Sequence, residues 1–518
     1  VRMGGQRVLC HYGVRRADIK TLFKDWVDAE HSGFFAEIQP PIGLVRPSLE
    51  AHLENGEVLF WKAPRVLLIW PNWAIFRWLL TTVARFFNKP KTLFHRQATQ
   101  AAHPPPQSAR PHMLLCTHSL DRTGAPLHQF EVASQCVSTG LMDATVLSSA
   151  DGPLASDYEA IGVPVVITHS PLRKVDHLRD YADVLNSLGG QLKLDAFDLV
   201  YANTLESFYI VDCADQWGVP ALWNIHESQS WQTCFQDLPP AVAKQARRCF
   251  EKAHRVVFVS HKTQALFSSL NTQDNFITIN NGIKLEGIEK SCLDWSRPEA
   301  RTALGVSENE VCLLTVGAVC ERKNQLELIE ALRSLPEKLH TQVRCYVVGA
   351  RPSLYSQQLA QQIEALPETL KDRVVMVDET SDMARFYRAA DVFVCNSRFE
   401  SYPRVILEAM AYGLPIVTTP VFGIQEQVRN NINGVFYEPG DVHALRQHLT
   451  RCIEDPQWRE QLADQSRPTL DSLTTFEQMI TAYQSLIEEA RAESANASTR
   501  HLATGAQVRS SSSLRHEV

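Results

Sequence analysis

The chain has 518 residues, of which 44% are hydrophobic and 21% charged. These values are typical of a folded protein, and the length provides for roughly three domains at about 150 residues each. Lys and Arg number 51 against 58 Asp and Glu, a formal net charge of −7. The chain as a whole therefore has no basic field to hold a polyanion. Composition excludes a peptide-sized module and argues against nucleic acid as a partner.

Residues 1–96 form an N-terminal extension to which the sequence assigns no function. Within it, the apolar run 66–87 is interrupted by Pro71, Asn72 and Arg77 and followed by a basic stretch, which argues against a membrane-spanning helix. Two interpretations stay open. Residues 66–96 form a helix on an anionic membrane surface, which gives peripheral membrane contact, or they form a buried or partner-binding helix.

No secretory signal is visible in the first residues, and the twelve cysteines include no Cys-x-x-Cys pair. Both features favour a cytoplasmic protein, at the inner face of the membrane if the extension binds lipid. Residues 97–110 contain three consecutive prolines and are predicted to be a linker. Residues 493–518 are rich in Ser, Ala and Thr and are predicted to be a disordered tail.

Between the linker and the tail, short β-branched runs alternate with helical patterns. One series runs from Met113 to Ser260 and a second from Val311 to Thr419. Apolar strands separated by helices predict parallel sheets covered on both faces. We therefore predict an α/β fold with two Rossmann-like, doubly wound domains facing a cleft. They comprise residues 111–285 and residues 286–492, the second ending in a closing helix. Ligands of such sheets bind at the carboxyl ends of the strands.

The richest strand end in the sequence is NSRFESYPRVILEAM, residues 396–410. Pro403 suits the first position of a helix over residues 403–412, whose N-terminus attracts a phosphate. Glu400 and Glu408 lie on either side of this helix start, where carboxylates can accept hydrogen bonds from sugar hydroxyls. The competing interpretation is that both are solvated charges.

Three other strand ends carry polar or glycine-containing loops. After the run ending at Val316, Gly317 permits a tight turn, and Arg322 and Lys323 precede a helix where cations can neutralise a diphosphate. Thr123, Gly124 and Ala125 precede another helix and by themselves read as a simple turn. His226 ends a strand, a position where an isolated histidine is more often structural.

Taken together, these segments resemble family 4 retaining glycosyltransferases, which have the GT-B fold. The resemblance rests on FESYPRVILEAM at 399–410, GLP at 413–415, FGIQE at 422–426 and the loop GAVCERKN at 317–324. It implies that Glu400 holds the sugar, that Glu408 holds the ribose, and that Lys323 and Arg322 clamp the donor phosphates. Ala318 stands where many members have the arginine, and Arg322 is the expected substitute.

The resemblance also implies the remaining site residues. His226 contacts the transferred sugar, and Thr123, Gly124 and Ala125 form the acceptor or phosphate loop. The donor-binding set is Gly317, Ser401, Tyr402, Pro403, Val405, Glu408 and Glu426.

The implied activity is retaining transfer of a sugar from a nucleotide-diphosphate sugar to a sugar or lipid-linked acceptor, in polysaccharide or glycoconjugate synthesis. No metal or other cofactor is expected, because the sequence has no His-Glu-x-x-His and no closely spaced Asp-x-Asp after a strand. Two alternatives stay open: a nucleotide-sugar epimerase or hydrolase on the same fold, and a non-catalytic protein that binds sugar nucleotides.

Overall fold

The computed structural model describes residues 110–492, except His169 and Asp176, together with six short strands within residues 1–68. The chain separates into two compact units, Val1–Gln97 and Ala98–Val518. Apart from Arg110, the predicted linker 97–110 and the predicted tail 493–518 lie outside the described residues. Both stay predictions.

The first unit contains small antiparallel pairings. Ser48–His52 pairs with Val58–Lys62, and Gly43–Val45 pairs with Val66–Leu68. Val66–Leu68 is therefore a strand and not the start of a surface helix, because pairing across strands supplies its backbone hydrogen bonds. Residues 69–96 lie outside the described residues, so membrane contact stays a prediction. Among the described helices, none combines the length and the apolar character needed to cross a bilayer.

Seven parallel strands form the sheet of the first domain: β1 (His112–Thr117), β2 (Asp143–Ser148), β3 (Val165–Ile167), β4 (Leu199–Asn203), β5 (Ala221–Ile225), β6 (Arg255–Phe258) and β7 (Phe276–Thr278). They lie side by side in the order β7-β6-β5-β4-β1-β2-β3. Strand order reverses between β1 and β4, which places the ligand-binding edge of this sheet beside their carboxyl ends.

The helices of this domain are α1 (Gly124–Ser138), α2 (Leu154–Ala160), α3 (Leu178–Leu192), α4 (Phe208–Trp217), α5 (Trp231–Cys234), α6 (Pro240–Lys252) and α7 (His261–Leu266). Helix α1 begins at Gly124, so Gly124 and Ala125, which the sequence places before this helix, are its first two residues.

Six parallel strands form the second sheet: β8 (Val311–Val316), β9 (Val343–Ala350), β10 (Val374–Asp378), β11 (Val392–Cys395), β12 (Ile416–Thr418) and β13 (Gly434–Phe436). Their order is β10-β9-β8-β11-β12-β13. The reversal falls between β8 and β11. The loops that follow these two strands carry the predicted phosphate-binding cations and Glu400, so the topology brings those segments together.

The helices of the second domain are α8 (Leu285–Asp294), α9 (Arg297–Ala303), α10 (Gln325–Arg333), α11 (Glu337–His340), α12 (Leu354–Glu364), α13 (Glu368–Lys371), α14 (Ala384–Ala389), α15 (Arg404–Ala411), α16 (Ile424–Gln427), α17 (Val442–Glu454), α18 (Pro456–Asp464) and α19 (Ser466–Asp471). A final helix, α20, covers residues 476–492.

Both faces of the first sheet are buried, as expected for parallel strands. Leu114 and Cys116 pack in one hydrophobic cluster, and Met113 and Leu115 pack in another on the opposite face. Helix α20 joins the second cluster through Met479 and other apolar side chains. The segment that the sequence counts as the closing helix of the second domain therefore packs against the first sheet. The two sheets confirm the predicted pair of doubly wound domains.

Candidate functional site

Glu400 is buried and is the centre of a charge cluster at the point where the second sheet reverses its order. Its Oε1 accepts hydrogen bonds from Lys323 Nζ at 2.5 Å, Arg322 Nη1 at 2.7 Å and Ser397 Oγ at 2.9 Å. Arg322 also donates to the backbone carbonyl of Phe399 at 3.0 Å. The predicted phosphate-binding cations and the predicted sugar-binding carboxylate therefore contact one another directly.

Glu400 is ionised at neutral pH. Burial raises the pKa of Glu400, but the positive charges of Lys323 and Arg322 outweigh burial and hold this pKa below its ordinary value. The Glu400 carboxylate in turn raises the pKa of the Arg322 guanidinium. Two cations face one carboxylate, so the three groups together retain a positive charge that attracts an anion.

Gly317 lies directly beneath the Lys323 side chain. Its φ of +137° is a conformation that residues with a side chain rarely adopt. A Cβ at this position would lie 3.3 Å from Lys323 Cε. The sequence therefore needs glycine here for two reasons, the backbone conformation and the space for the lysine.

Helix α15 begins immediately after the segment Ser401–Pro403, in which all three residues are buried. Pro403 has φ −67° and ψ 123° and caps the helix from outside. It does not occupy the first helical position that its missing N–H suggests, because its ψ is extended. The structure shows no side-chain cap on this helix, so its first N–H groups and the positive end of its dipole remain available to an anion.

The same segment contacts the first domain. Ser401 Oγ donates to the carbonyl of His226 and lies 3.2 Å from Ser228 Oγ. Asn281 Nδ2 donates to the carbonyl of Tyr402 at 3.1 Å. The Glu400 side chain therefore contacts residues of its own domain, whereas Ser401 and Tyr402 contact the first domain. These contacts place the end of β5 beside the charge cluster.

His226 is neutral and its tautomer follows from its neighbours. Burial, followed by the charges of His118 and Arg404, lowers the pKa of His226 to about 3. The Tyr483 hydroxyl donates to Asn224 Oδ1 at 2.9 Å, and Asn224 Nδ2 lies 2.7 Å from His226 Nε2. Because the amide nitrogen donates, Nε2 accepts and the proton sits on Nδ1. His226 thus offers one N–H donor.

Glu227 is a half-buried acid that is not among the site residues predicted from the sequence. Its carboxylate accepts backbone N–H groups from Leu205 at 3.1 Å and from His226 at 3.1 Å. Burial nevertheless raises its pKa to about 7. In the sequence, its position next to His226 at the end of a predicted strand could have indicated that it belongs to the site. Glu227 holds the backbone of the loop that carries His226.

Thr123 and the first two residues of α1, Gly124 and Ala125, lie at the edge where the first sheet reverses. Gly124 is exposed, and a Cβ there would meet no atom within 4 Å. Asn203 Nδ2 donates to the Ala125 carbonyl at 3.0 Å, and Thr123 is half-buried. Asp121 pairs with Arg351 of the second domain at 3.3 Å. The loop therefore reaches the cleft and leaves open space beside Gly124.

Three predicted donor-binding residues lie further along the second domain. Glu408 is half-buried on α15 and accepts a hydrogen bond from the Tyr387 hydroxyl at 2.8 Å. Val405 is half-buried one residue after the start of α15. Glu426 accepts the N–H groups of His261 at 3.2 Å and Lys262 at 2.7 Å, at the start of α7 in the first domain. Glu426 is therefore engaged in a contact between domains.

Across the part of the chain that the structure describes, no three His, Cys, Asp or Glu side chains are placed to share a metal ion.

Two family profiles match the two domains. The profile described as a Glycosyl transferase 4-like domain covers residues 123–282, and the profile described as Glycosyl transferases group 1 covers residues 296–468. The chain belongs to the group 1 glycosyl transferases. The first matched region of this family member contains His226 and the loop that begins at Thr123. The second contains the cluster around Glu400.

Curated relatives align with this chain over part of their own length. The capsular polysaccharide biosynthesis glycosyltransferase CapM of Staphylococcus aureus is 27% identical over 239 residues, which are 44% of this chain and 60% of the relative. D-inositol 3-phosphate glycosyltransferase of Geodermatophilus obscurus is 34% identical over 215 residues, 39% of this chain and 46% of the relative. The match thus spans about half the length of these glycosyl transferases.

Solved structures share the fold. Anabaena HepE in complex with UDP-glucose aligns with a TM-score of 0.60 at 23% identity, over 74% of this chain and 99% of HepE. The arrangement of two doubly wound domains is therefore the GT-B fold of glycosyl transferases, as the sequence predicts.

Proposed function

We propose that this protein transfers a glycosyl group from a nucleotide-diphosphate sugar to an acceptor hydroxyl, with retention at the anomeric carbon. The observation that carries the proposal is the cluster of Lys323, Arg322 and Glu400 at the reversal point of the second sheet. Membership in the group 1 glycosyl transferases supports the reaction class.

Breaking the bond to the diphosphate places negative charge on the leaving group. Lys323, Arg322 and the N-terminus of α15 stabilise this charge electrostatically, because they are already positioned as donors before the bond breaks. The cations take the role that a divalent ion plays elsewhere, so we propose that activity persists in EDTA. When the diphosphate binds to the cations, the Glu400 carboxylate is released to accept hydrogen bonds from sugar hydroxyls.

His226 Nδ1–H donates to an oxygen of the transferred sugar, and the neutral ring adds no charge that opposes the developing positive charge on the sugar. The loop Thr123–Ala125 lies on the acceptor side. Glu408 binds the ribose. Its carboxylate accepts a hydrogen bond from the neutral Tyr387 hydroxyl and can accept further hydrogen bonds from the ribose hydroxyls. Glu426 supports the nucleotide side indirectly, by fixing the first domain at α7.

The role assigned to the Glu400 carboxylate, accepting hydrogen bonds from sugar hydroxyls, does not require a covalent glycosyl-enzyme. We therefore propose attack by the acceptor hydroxyl on the leaving-group face, with the departing phosphate taking the proton. The acceptor is a sugar or a lipid-linked sugar in polysaccharide or glycoconjugate synthesis, and the proposed location is the cytoplasm, at the membrane if residues 66–96 bind it.

A screen of nucleotide sugars with an acceptor library tests the proposal, with the anomeric configuration of the product read by NMR. Lys323→Ala should lower transfer about 100-fold. Lys338→Ala is the matched control, because Lys338 is a lysine of the same domain whose side chain is 70% exposed. Equal transfer by both variants would contradict the proposal. Donor consumption without an acceptor would indicate the hydrolase or epimerase, and binding without turnover would indicate the non-catalytic protein.

A further inference from the structure

A buried ion pair joins the two domains next to the proposed donor site. Arg404 Nη1 lies 2.7 Å from Glu131 Oε2, and Arg404 Nη2 lies 2.9 Å from Glu131 Oε1. The two side chains are 11% and 10% exposed. This two-point geometry fixes both the distance and the angle between the groups. The residues are 273 positions apart in the chain, and neither is among the site residues predicted from the sequence.

Each partner lies on a helix whose N-terminus belongs to the proposed site. Arg404 is the first residue of α15, whose N-terminus faces the donor. Glu131 lies on α1, which begins at Gly124 of the acceptor-side loop, seven residues or about 10 Å along the helix. The ion pair therefore connects the first residue of α15 with the middle of α1.

Other contacts show that the pair belongs to a continuous boundary between the domains. Ser401 and Tyr402, just before Arg404, contact His226, Ser228 and Asn281 of the first domain. On α1, one turn before Glu131, the His128 ring packs 5.2 Å from the His226 ring. Asp121 and Arg351 also pair across the two domains, but their side chains are more exposed than those of Glu131 and Arg404. Loss of one member of the Glu131–Arg404 pair therefore leaves a buried charge without its partner.

We propose that Glu131 and Arg404 are a positioning pair that holds His226 and the acceptor-side loop in register with the donor helix. The proposal rests on the proposed function. The contacts of the Lys323–Arg322–Glu400 cluster lie within the second domain and do not involve the pair, so the donor diphosphate keeps its cations when the pair is broken. Transfer does depend on it, because the acceptor and His226 belong to the first domain and the donor to the second.

Kinetics of Glu131→Gln, Arg404→Gln and the double variant test the pair. Using the nucleotide sugar that the wild-type protein turns over fastest, we expect each single variant to lower kcat by roughly 10- to 100-fold, because small misplacements of reacting groups are costly. The KM for the donor should stay near the wild-type value, and the double variant should be no slower than the slower single variant. Losses that multiply in the double variant, or a loss expressed in donor KM alone, would overturn the proposal.

Asp391→Asn is the matched control for burial. Asp391 pairs with Arg301 at 2.8 Å, with side chains 12% and 11% exposed, but both residues lie in the second domain. It should lower stability without the loss in kcat. Should this variant fail to fold, Asp157→Asn, which breaks a more exposed pair with Arg122 in the first domain, serves instead. A kcat loss in the control equal to that of Glu131→Gln would overturn the proposal.

Hydrogen exchange separates this inference from the proposed function. In the ligand-free protein, amides of residues 226–228 and 401–404 should exchange faster in Glu131→Gln than in the control. If the wild-type protein turns over no nucleotide sugar, the proposed function fails, and the exchange rates still decide whether the pair holds the domains in register. Identical exchange in both variants would overturn the positioning role.

Discussion

Replacing Glu400 by Gln tests whether its carboxylate and a bound diphosphate compete for the same cations. Glu400 Oε1 lies 2.5 Å from Lys323 Nζ and 2.7 Å from Arg322 Nη1. Two unit charges about 4 Å apart interact by about 4 kcal/mol at an effective dielectric constant of about 20. Rehydration of Arg322, whose side chain is 46% exposed, offsets much of this. We expect about 1.4 kcal/mol to remain, a tenfold gain in affinity for inorganic pyrophosphate.

The same substitution should lower transfer about 100-fold, because the sugar loses a charged hydrogen-bond acceptor. Binding is measured by isothermal titration calorimetry with pyrophosphate, and transfer by initial rates at saturating donor. Glu310→Gln is the matched control, since Glu310 is buried and paired with Arg344 and Arg373 but precedes β8, at the opposite end of the sheet. Unchanged or weaker pyrophosphate binding by the Glu400 variant would refute the competition, as would an equal gain in the control.

Three further predictions concern stability. Gly317→Ala should lower the free energy of unfolding by about 1–3 kcal/mol through backbone strain, and it should weaken pyrophosphate binding by displacing Lys323. The control is Gly162→Ala, since Gly162 has φ +78° and a Cβ there would meet no atom within 4 Å, so this variant should cause strain alone. Equal binding by both variants would contradict this. Burial raises the pKa of Glu227 to about 7, above about 4.3 in the unfolded chain, so its contribution to stability falls as pH rises through this interval. Urea unfolding of Glu227→Gln should show a shallower decline, and an unaltered pH profile would refute the assignment. The pKa of Glu400 is lowered, so the pH dependence is the opposite: the contribution of Glu400 to stability is lost as pH falls below about 4.3. In urea unfolding, Glu400→Gln should therefore show a smaller loss of stability at acidic pH. An acid limb as steep as that of the wild type would contradict it.

The sheets could be predicted because parallel strands are buried on both faces and therefore appear as apolar runs. Two edge strands, Phe276–Thr278 and Gly434–Phe436, lay outside the predicted series. Each has three residues and one neighbouring strand, so neither needs a long apolar run. The packing of helix α20 could not be predicted, because an apolar helix face does not indicate which of the two sheets it packs against.

The charge cluster could be predicted from residue types at strand ends, since strand topology brings those ends together. Contacts between the two domains could not be predicted in this way. The family resemblance implies that Glu426 belongs to the donor-binding set, and its contact with the N–H groups at the start of α7 could not be predicted from the sequence. Glu131 and Arg404 appear in the sequence as ordinary helical charges. Their pairing depends on how the two domains face each other, which no local pattern encodes.

A crystal structure with UDP bound tests the central claim most directly. The account predicts that the diphosphate lies within hydrogen-bond distance of Lys323 Nζ, Arg322 and the first N–H groups of α15, with Glu400 displaced from Lys323. A diphosphate bound elsewhere, with the Lys323–Glu400 contact still intact, would contradict it.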